Sequence, residues 1–164
     1  MKESVRLYAN ELWKRAYTAK PSSLMRVILD TNVVMDCLVF QDQKVQPILE
    51  AIHDARLKPV IHFETFAELV DVLGRSMFKL TSDQVEEKAL QWLALCEHFE
   101  DALPETPYCK DPEDDKFFQL ALVSHCPTLV TKDKLVLKAR KRAKRDGISV
   151  MTIDDFVSKE LPNV

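Results

Sequence analysis

Hydrophobic positions along the chain alternate between short β-branched runs and longer segments with helical spacing. The short runs predict strands at residues 25–29, 58–63, 128–131 and 148–153, with a weak edge strand at 99–103. The segments between them repeat apolar residues every three or four positions, which predicts helices from residue 31 and at 47–57, 64–73, 82–98, 112–123 and 134–145. This alternation predicts an α/β fold with a parallel sheet and helices on both faces.

One further helix is predicted ahead of the first strand. Residues 5–17 carry apolar side chains at mixed three- and four-residue spacing, and Pro21, Ser22 and Ser23 interrupt the pattern. We therefore divide the chain into an N-terminal helical extension, residues 1–23, and a main domain, residues 24–164.

Composition and length fit a globular protein of this kind. The 164 residues are 46% hydrophobic and 30% charged, with only 2 glycines, so the chain is expected to fold around a core. Its four cysteines lack the spacing of a disulfide framework or a zinc site and are expected to be free thiols. Without a secretory signal or an apolar stretch long enough for a bilayer, we expect a cytoplasmic protein with no membrane partner.

Carboxylates follow the predicted strands closely. Asp30 and Asp133 come after two strands, while Glu68 and Asp115 lie near the start of two of the helices. Ligands of open parallel sheets bind at the carboxyl ends of the strands, so these four side chains could converge there. Carboxylates so close would repel one another unless a hard divalent cation lay between them, which predicts Mg²⁺ or Mn²⁺, as one ion or two. Hydrolysis of a phosphodiester is the chemistry that such a site favours.

Each of these acidic residues also has an ordinary structural interpretation. Asp30 could form a turn, Glu68 could be a solvated helix residue, Asp115 could interact with the helix dipole, and Asp133 could be an N-cap. The net charge of −3 is unevenly distributed, with six basic residues between 138 and 145. This run is either a solvated helix face or a site for phosphate groups.

Four segments together resemble a known family. VILDTNVVMD, FAELVDVLGR, KDPEDDKFFQLAL and LVTKDKLVL resemble, in order and spacing, the PIN domain, over residues 25–156. The resemblance is to the branch of toxin components of toxin–antitoxin systems, VapC-like ribonucleases. It implies a three-layer α/β/α sandwich around a parallel sheet of four or five strands. The N-terminal helix and Cys109, where a basic residue often stands, depart from the common pattern.

The resemblance also implies roles for individual residues. The metal-binding and catalytic residues would be Asp30, Glu68, Asp115 and Asp133, supported by Thr31, Asn32 and Thr131 and by Asp111 as an auxiliary. The basic run is a separate prediction that does not come from the resemblance: if it binds phosphate groups, Lys138, Arg140, Lys141 and Arg142 would contact RNA.

The function implied is metal-dependent endonucleolytic cleavage of single-stranded RNA. The family further implies a cognate antitoxin protein as partner, and we expect a homo-oligomer.

Three other functions were weighed against this one. A phosphotransfer receiver domain needs an adjacent acidic pair after its first strand, and Thr31 and Asn32 follow Asp30 instead. A haloacid-dehalogenase-type phosphatase needs Asp-x-Asp, and Asn32 occupies the second acidic position. A catalytically silent PIN domain that binds RNA or protein remains open, because filled acidic positions do not by themselves prove turnover.

Overall fold

The computed structural model describes residues 1–16 and 24–164. The strands are β1 Met25–Leu29, β2 Leu57–His62, β3 Glu97–Phe99, β4 Thr128–Val130 and β5 Ser149–Met151. The α-helices are α1 Glu3–Arg15, α2 Thr31–Met35, α3 Gln46–His53, α4 Phe63–Leu73, α5 Ser82–Leu95, α6 Asp115–Val123, α7 Lys134–Lys138, α8 Arg140–Arg145 and α9 Ile153–Lys159.

The five strands form one parallel sheet in the order β3-β2-β1-β4-β5. The chain moves from β1 outward to β2 and β3, and then returns to place β4 on the other side of β1. The strand order therefore reverses between β1 and β4. In open α/β sheets, the crevice at such a reversal is the usual ligand site.

Alternating side chains of the strands supply two hydrophobic cores, one on each face of the sheet. In β1, Val27 and Leu29 point into the core that contains α1 to α5, while Ile28 points into the core formed with α6, α7 and α8. This alternation follows from the two-residue period of a strand. The predicted three-layer α/β/α architecture, with a parallel sheet of five strands, is confirmed.

The N-terminal helix is part of the first core. Ala9 and Leu12 are fully buried, and the Trp13 ring stacks on His98 with centroids 4.8 Å apart. Helix α1 begins at Glu3 and ends at Arg15. Tyr17 and the predicted break at residues 21–23 lie outside the described residues, and the domain division at residue 23 stays a prediction.

Three predicted helix ends were wrong, each for a local reason. Helix α3 ends at His53 and not at residue 57, because Ala55 adopts a left-handed conformation with φ of 56°. Helix α5 ends at Leu95, because Cys96 is extended, and the edge strand predicted at 99–103 begins at Glu97. The helix predicted at 134–145 is two helices that meet at Ala139.

A buried ion pair ties the amino end of β1 to β3. The Arg26 guanidinium donates to both carboxylate oxygens of Glu97, at 3.0 and 2.8 Å, and also to the Ser124 carbonyl at 2.8 Å. The Glu97 side chain is only 6% exposed. The Glu97 carboxylate therefore lies inside the fold and the Arg26 side chain is half-buried, at the end of the sheet opposite the carboxyl ends of the strands.

All four cysteines are free, and three of them are buried, as predicted. Among the described residues, no helix has both the length and the apolar character needed to cross a membrane.

Candidate active site

The candidate site lies where the strand order reverses, at the carboxyl ends of β1 and β4. Asp30 directly follows β1, and its N–H donates to the Val130 carbonyl at 3.0 Å. Thr131 directly follows β4, and its hydroxyl donates to Asp30 Oδ2 at 2.7 Å. The two connections are thus joined across the reversal point by one backbone and one side-chain hydrogen bond.

The Asp30 carboxylate is buried but does not cap the helix that it precedes. Its backbone carbonyl accepts from Val33 and Val34, whereas its side chain makes no capping hydrogen bond to α2. Burial, together with the nearby charges of Glu68 and Asp133, raises the pKa of Asp30 to about 6, against the lowering effect of hydrogen bonds from the Thr131 hydroxyl and the Thr31 backbone. The Asp30 carboxylate therefore does more than form a local turn, because it is held from β4 by Thr131 and lies close to the charges of Glu68 and Asp133.

Glu68 reaches the same region from α4. The helix starts directly after β2 because His62 and Thr65 form a capping box, in which His62 Nδ1 accepts from the Glu64 N–H at 3.1 Å. Glu68 lies one turn later, and one of its oxygens accepts a hydrogen bond from the Thr31 hydroxyl. Thr31 thus holds the Glu68 side chain by a hydrogen bond, and its supporting role in a metal site stays a prediction.

A lysine that the sequence analysis did not single out neutralises part of this site. Lys116 Nζ lies 3.1 Å from Glu68 Oε1 and 3.9 Å from Glu113 Oε2, and its side chain is 14% exposed. Lys116 occupies the second position of α6, so its amine comes from the helix that also begins beside the acidic residues. It acts as an internal counter-charge to Glu68.

The two adjacent aspartates before Lys116 do different things. Asp115 is buried, and its Oδ1 accepts from the backbone N–H groups of Tyr108 and Cys109, at 2.9 and 2.6 Å. Asp114, which was not predicted, is half-buried, and burial together with the charges of Asp30, Asp133, Asp111 and Glu68 raises its pKa to about 6. The charges of the acidic cluster thus act on Asp114, and one oxygen of Asp115 holds the preceding loop.

The remaining predicted acidic positions lie at the rim. Asp133 caps α7 by accepting from the Leu135 N–H at 2.7 Å, while its own N–H donates to Thr131 Oγ1 at 3.0 Å. Asp111 is exposed and accepts from the Glu113 N–H at 3.0 Å. Asn32 is exposed on α2, and within the described part of the chain its side chain has no hydrogen bond to the cluster. Asp133 and Asp111 thus combine a capping role with a charge close to Asp114.

The basic residues predicted to contact RNA do not share one surface. Lys138 ends α7, whereas Arg140 and Lys141 are exposed on α8 beside β5. Arg142 instead places its guanidinium 5.7 Å from the centre of the Tyr108 ring, next to the loop that Asp115 holds.

The raised pKa of Asp30 gives a testable dependence of stability on pH. Between about pH 4 and pH 6 the unfolded chain has lost this proton and the folded chain has not, so folding stability falls as pH rises and stays low above pH 6. With a chelator present, Asp30→Asn is expected to unfold at a higher temperature than the parent at pH 8, with a gain of about 1–3 kcal/mol. At pH 4 the two should unfold alike, and a lower melting temperature for the variant at pH 8 would contradict this account.

The carboxylate oxygens of the acidic cluster are suitable ligands for a hard divalent cation, although they do not surround a common point. Within the described residues, no three Asp, Glu, His or Cys side chains converge tightly enough to hold a metal ion. The carboxylates stay apart for two physical reasons. Like charges repel, and Thr31, Thr131 and Lys116 each bind to one of the carboxylates. All the groups are oxygen ligands of the type that Mg²⁺ and Mn²⁺ prefer.

Comparison with known families agrees with this geometry. A family model described as the PIN domain matches residues 26–135, which is more than half of the chain and includes every acidic residue discussed above. No curated protein matches the chain. PIN domains are in general metal-dependent nucleases, so the match assigns the chain a nuclease-type activity and gives no support to a receiver domain. The chain belongs to the PIN-domain family.

Proposed function

We propose that this chain is an endoribonuclease that hydrolyses phosphodiester bonds of single-stranded RNA with Mg²⁺ or Mn²⁺. The observation that carries the proposal is Asp30, a buried carboxylate held by Thr131 at the reversal point of the sheet and affected by the charges of Glu68 and Asp133. A fold rarely keeps such a group unless it has a use, because its burial destabilises the folded state at neutral pH.

We assign the cation to Asp30, Glu68, Asp133 and Asp114. A bound divalent ion supplies a water of lowered pKa and neutralises charge that builds on the phosphate. Thr131 and Thr31 orient Asp30 and Glu68 by hydrogen bonds. Lys116 pairs with Glu68 and balances its negative charge when no cation is bound. The sequence-based assignment of Asp115 as a ligand stays a prediction, and so does the number of ions.

The proposal is tested by incubating the purified protein with a labelled single-stranded RNA and Mn²⁺ or Mg²⁺. Cleavage is expected with either ion, none with a chelator, and at least about a tenfold loss for Asp30→Asn. Asn keeps the size of the side chain and can still accept from Thr131, so folding should be retained. Equal cutting by the parent and the variant would refute the assignment.

The Lys116–Glu68 ion pair favours a second candidate, a PIN domain that binds RNA without cutting it. An amine already paired with Glu68 lowers the attraction of the cluster for a cation. In that case the protein would bind the RNA with unchanged affinity in the presence and absence of Mn²⁺ and would leave it intact.

We further propose that the protein is the toxin of a toxin–antitoxin pair, forms a homo-oligomer and works in the cytoplasm. The support is the order of the four sequence segments described above. A short reading frame for a DNA-binding protein beside this gene, and growth arrest on expression that the neighbouring product relieves, are the expected observations. Expression without any effect on growth would argue for general RNA processing.

A further inference from the structure

An open cavity beside the edge strand β5 gathers basic side chains away from the acidic cluster. Its volume is about 430 Å³, and its wall is formed by Arg140, Lys141 and Lys144 together with residues 147–150. All three cations are exposed on one face of α8, since residues three and four positions apart in a helix are neighbours. The cavity is therefore open to solvent and positively charged.

These charges lack compensation within the described part of the chain. Several other basic residues pair with a carboxylate, as Arg6 does with Glu64 and Lys132 with Asp36, at 2.9 and 2.6 Å. Arg140, Lys141 and Lys144 have no such partner among the described residues. Like charges this close on a helix repel one another, so a polyanion bound there would relieve the electrostatic repulsion that destabilises the free protein.

The position of the cavity relative to the acidic cluster suits one continuous ligand. In the β4–β5 register Thr128 pairs with Ser149, and Thr131 follows three residues later at the carboxyl edge. At roughly 3.3 Å per residue, the cavity lies about 10 Å along the strand direction from that edge. Strand β5 also lies two strands from β1, which adds about 10 Å across the sheet. A nucleic-acid strand whose scissile phosphate lies at Asp30 would cover both distances with its next few phosphates.

We propose that this cavity binds the sugar-phosphate backbone of the RNA strand, through Arg140, Lys141 and Lys144, a few nucleotides from the cleaved bond. The assignment rests on the proposed ribonuclease function. It departs from the sequence-based prediction in two residues. Lys144 joins the contact set, and Arg142 leaves it because its guanidinium lies over the Tyr108 ring. Contacts to phosphates position the strand and carry no base preference.

The test compares two triple charge reversals with the same change in net charge. Arg140→Glu, Lys141→Glu and Lys144→Glu are combined in one protein, and Lys2→Glu, Lys14→Glu and Lys79→Glu in the other, all at exposed positions. Binding of a fluorescein-labelled 12-nucleotide single-stranded RNA is measured by anisotropy in chelator over a range of salt. The α8 triple is expected to bind at least about tenfold more weakly and to show a salt slope smaller by about 2, at roughly 0.7 per phosphate contact on a single strand.

The other outcomes separate the two proposals. If both triple variants bound RNA equally weakly, the loss of affinity would come from the change in net charge, and the cavity assignment would be overturned. Unchanged binding by the α8 triple, with cleavage by the parent intact, would overturn the cavity alone. A parent that binds an oligoglutamate peptide but no RNA would identify an acidic protein partner and overturn both proposals. Circular dichroism of each triple, matched to the parent, establishes that the comparison is made on folded protein.

Discussion

Replacing Asp114 with alanine is expected to lower metal-dependent RNA cleavage by about 100-fold or more without lowering the melting temperature. Loss of a carboxylate that helps to hold the cation removes several kcal/mol of transition-state stabilisation, and each 1.4 kcal/mol is worth tenfold in rate. The side chain makes no capping bond, and burial together with the neighbouring carboxylates raises its pKa to about 6, so its charge opposes folding at neutral pH. The variant should therefore melt at the same temperature as the parent or slightly higher.

Asp115→Ala is the matched control at the adjacent position. Its buried carboxylate accepts from the N–H groups of Tyr108 and Cys109, and the substitution leaves both donors without that acceptor. The expected cost is about 2–3 kcal/mol, or a melting temperature lower by roughly 5–10 °C in differential scanning calorimetry. If Asp115→Ala abolished cleavage at unchanged stability while Asp114→Ala cut normally, the roles assigned to the two residues would have to be exchanged.

Arg26→Met is expected to destabilise the fold by about 3–5 kcal/mol in urea unfolding. The substitution keeps most of the side-chain volume but leaves the Glu97 carboxylate, 6% exposed, without its bidentate partner, and it removes a donor from the Ser124 carbonyl. An uncompensated charge inside a protein is far more costly than the pair was favourable. The catalytic edge lies at the other end of the strands, so cleavage by the folded fraction should persist.

Arg26→Met combined with Glu97→Leu separates the pair from the buried charge. If the cost comes from the orphaned carboxylate, the double variant should recover most of the lost free energy of unfolding, because apolar residues replace both charges. A double variant no more stable than Arg26→Met would instead assign the loss to packing around the methionine.

The strands and their order of appearance could be predicted from the sequence, and so could the position of two acidic residues near strand ends. Asp30 follows a β-branched run directly and Asp133 follows another after Lys132, and a parallel sheet brings the carboxyl ends of its strands to one edge, so their approach could be expected. Glu68 was placed one turn past Glu64 on the helix after the second strand, and its role as a ligand stays a prediction.

What the sequence did not reveal depends on single-residue rotations and on contacts between distant segments. Asp114 and Asp115 are chemically identical neighbours, and a helix turns by about 100° per residue, so only the path through the turn at Pro112–Asp114 decides which one faces the cluster. Lys116 pairs with Glu68 from a different helix, a contact for which the sequence has no local signal. The apolar pattern of α5 continues through Cys96, so nothing in the sequence indicated that β3 begins at Glu97.

The hydrogen bond from Thr131 to Asp30 joins residues 101 positions apart. During synthesis of the chain, Asp30 emerges long before Thr131 and Asp133, and before Lys116 is available to Glu68. A nascent chain therefore carries no assembled acidic site until the residues through Asp133 have been made and β4 has docked beside β1. For a protein of nuclease type, this order of assembly postpones activity until both sides of the sheet have formed around β1.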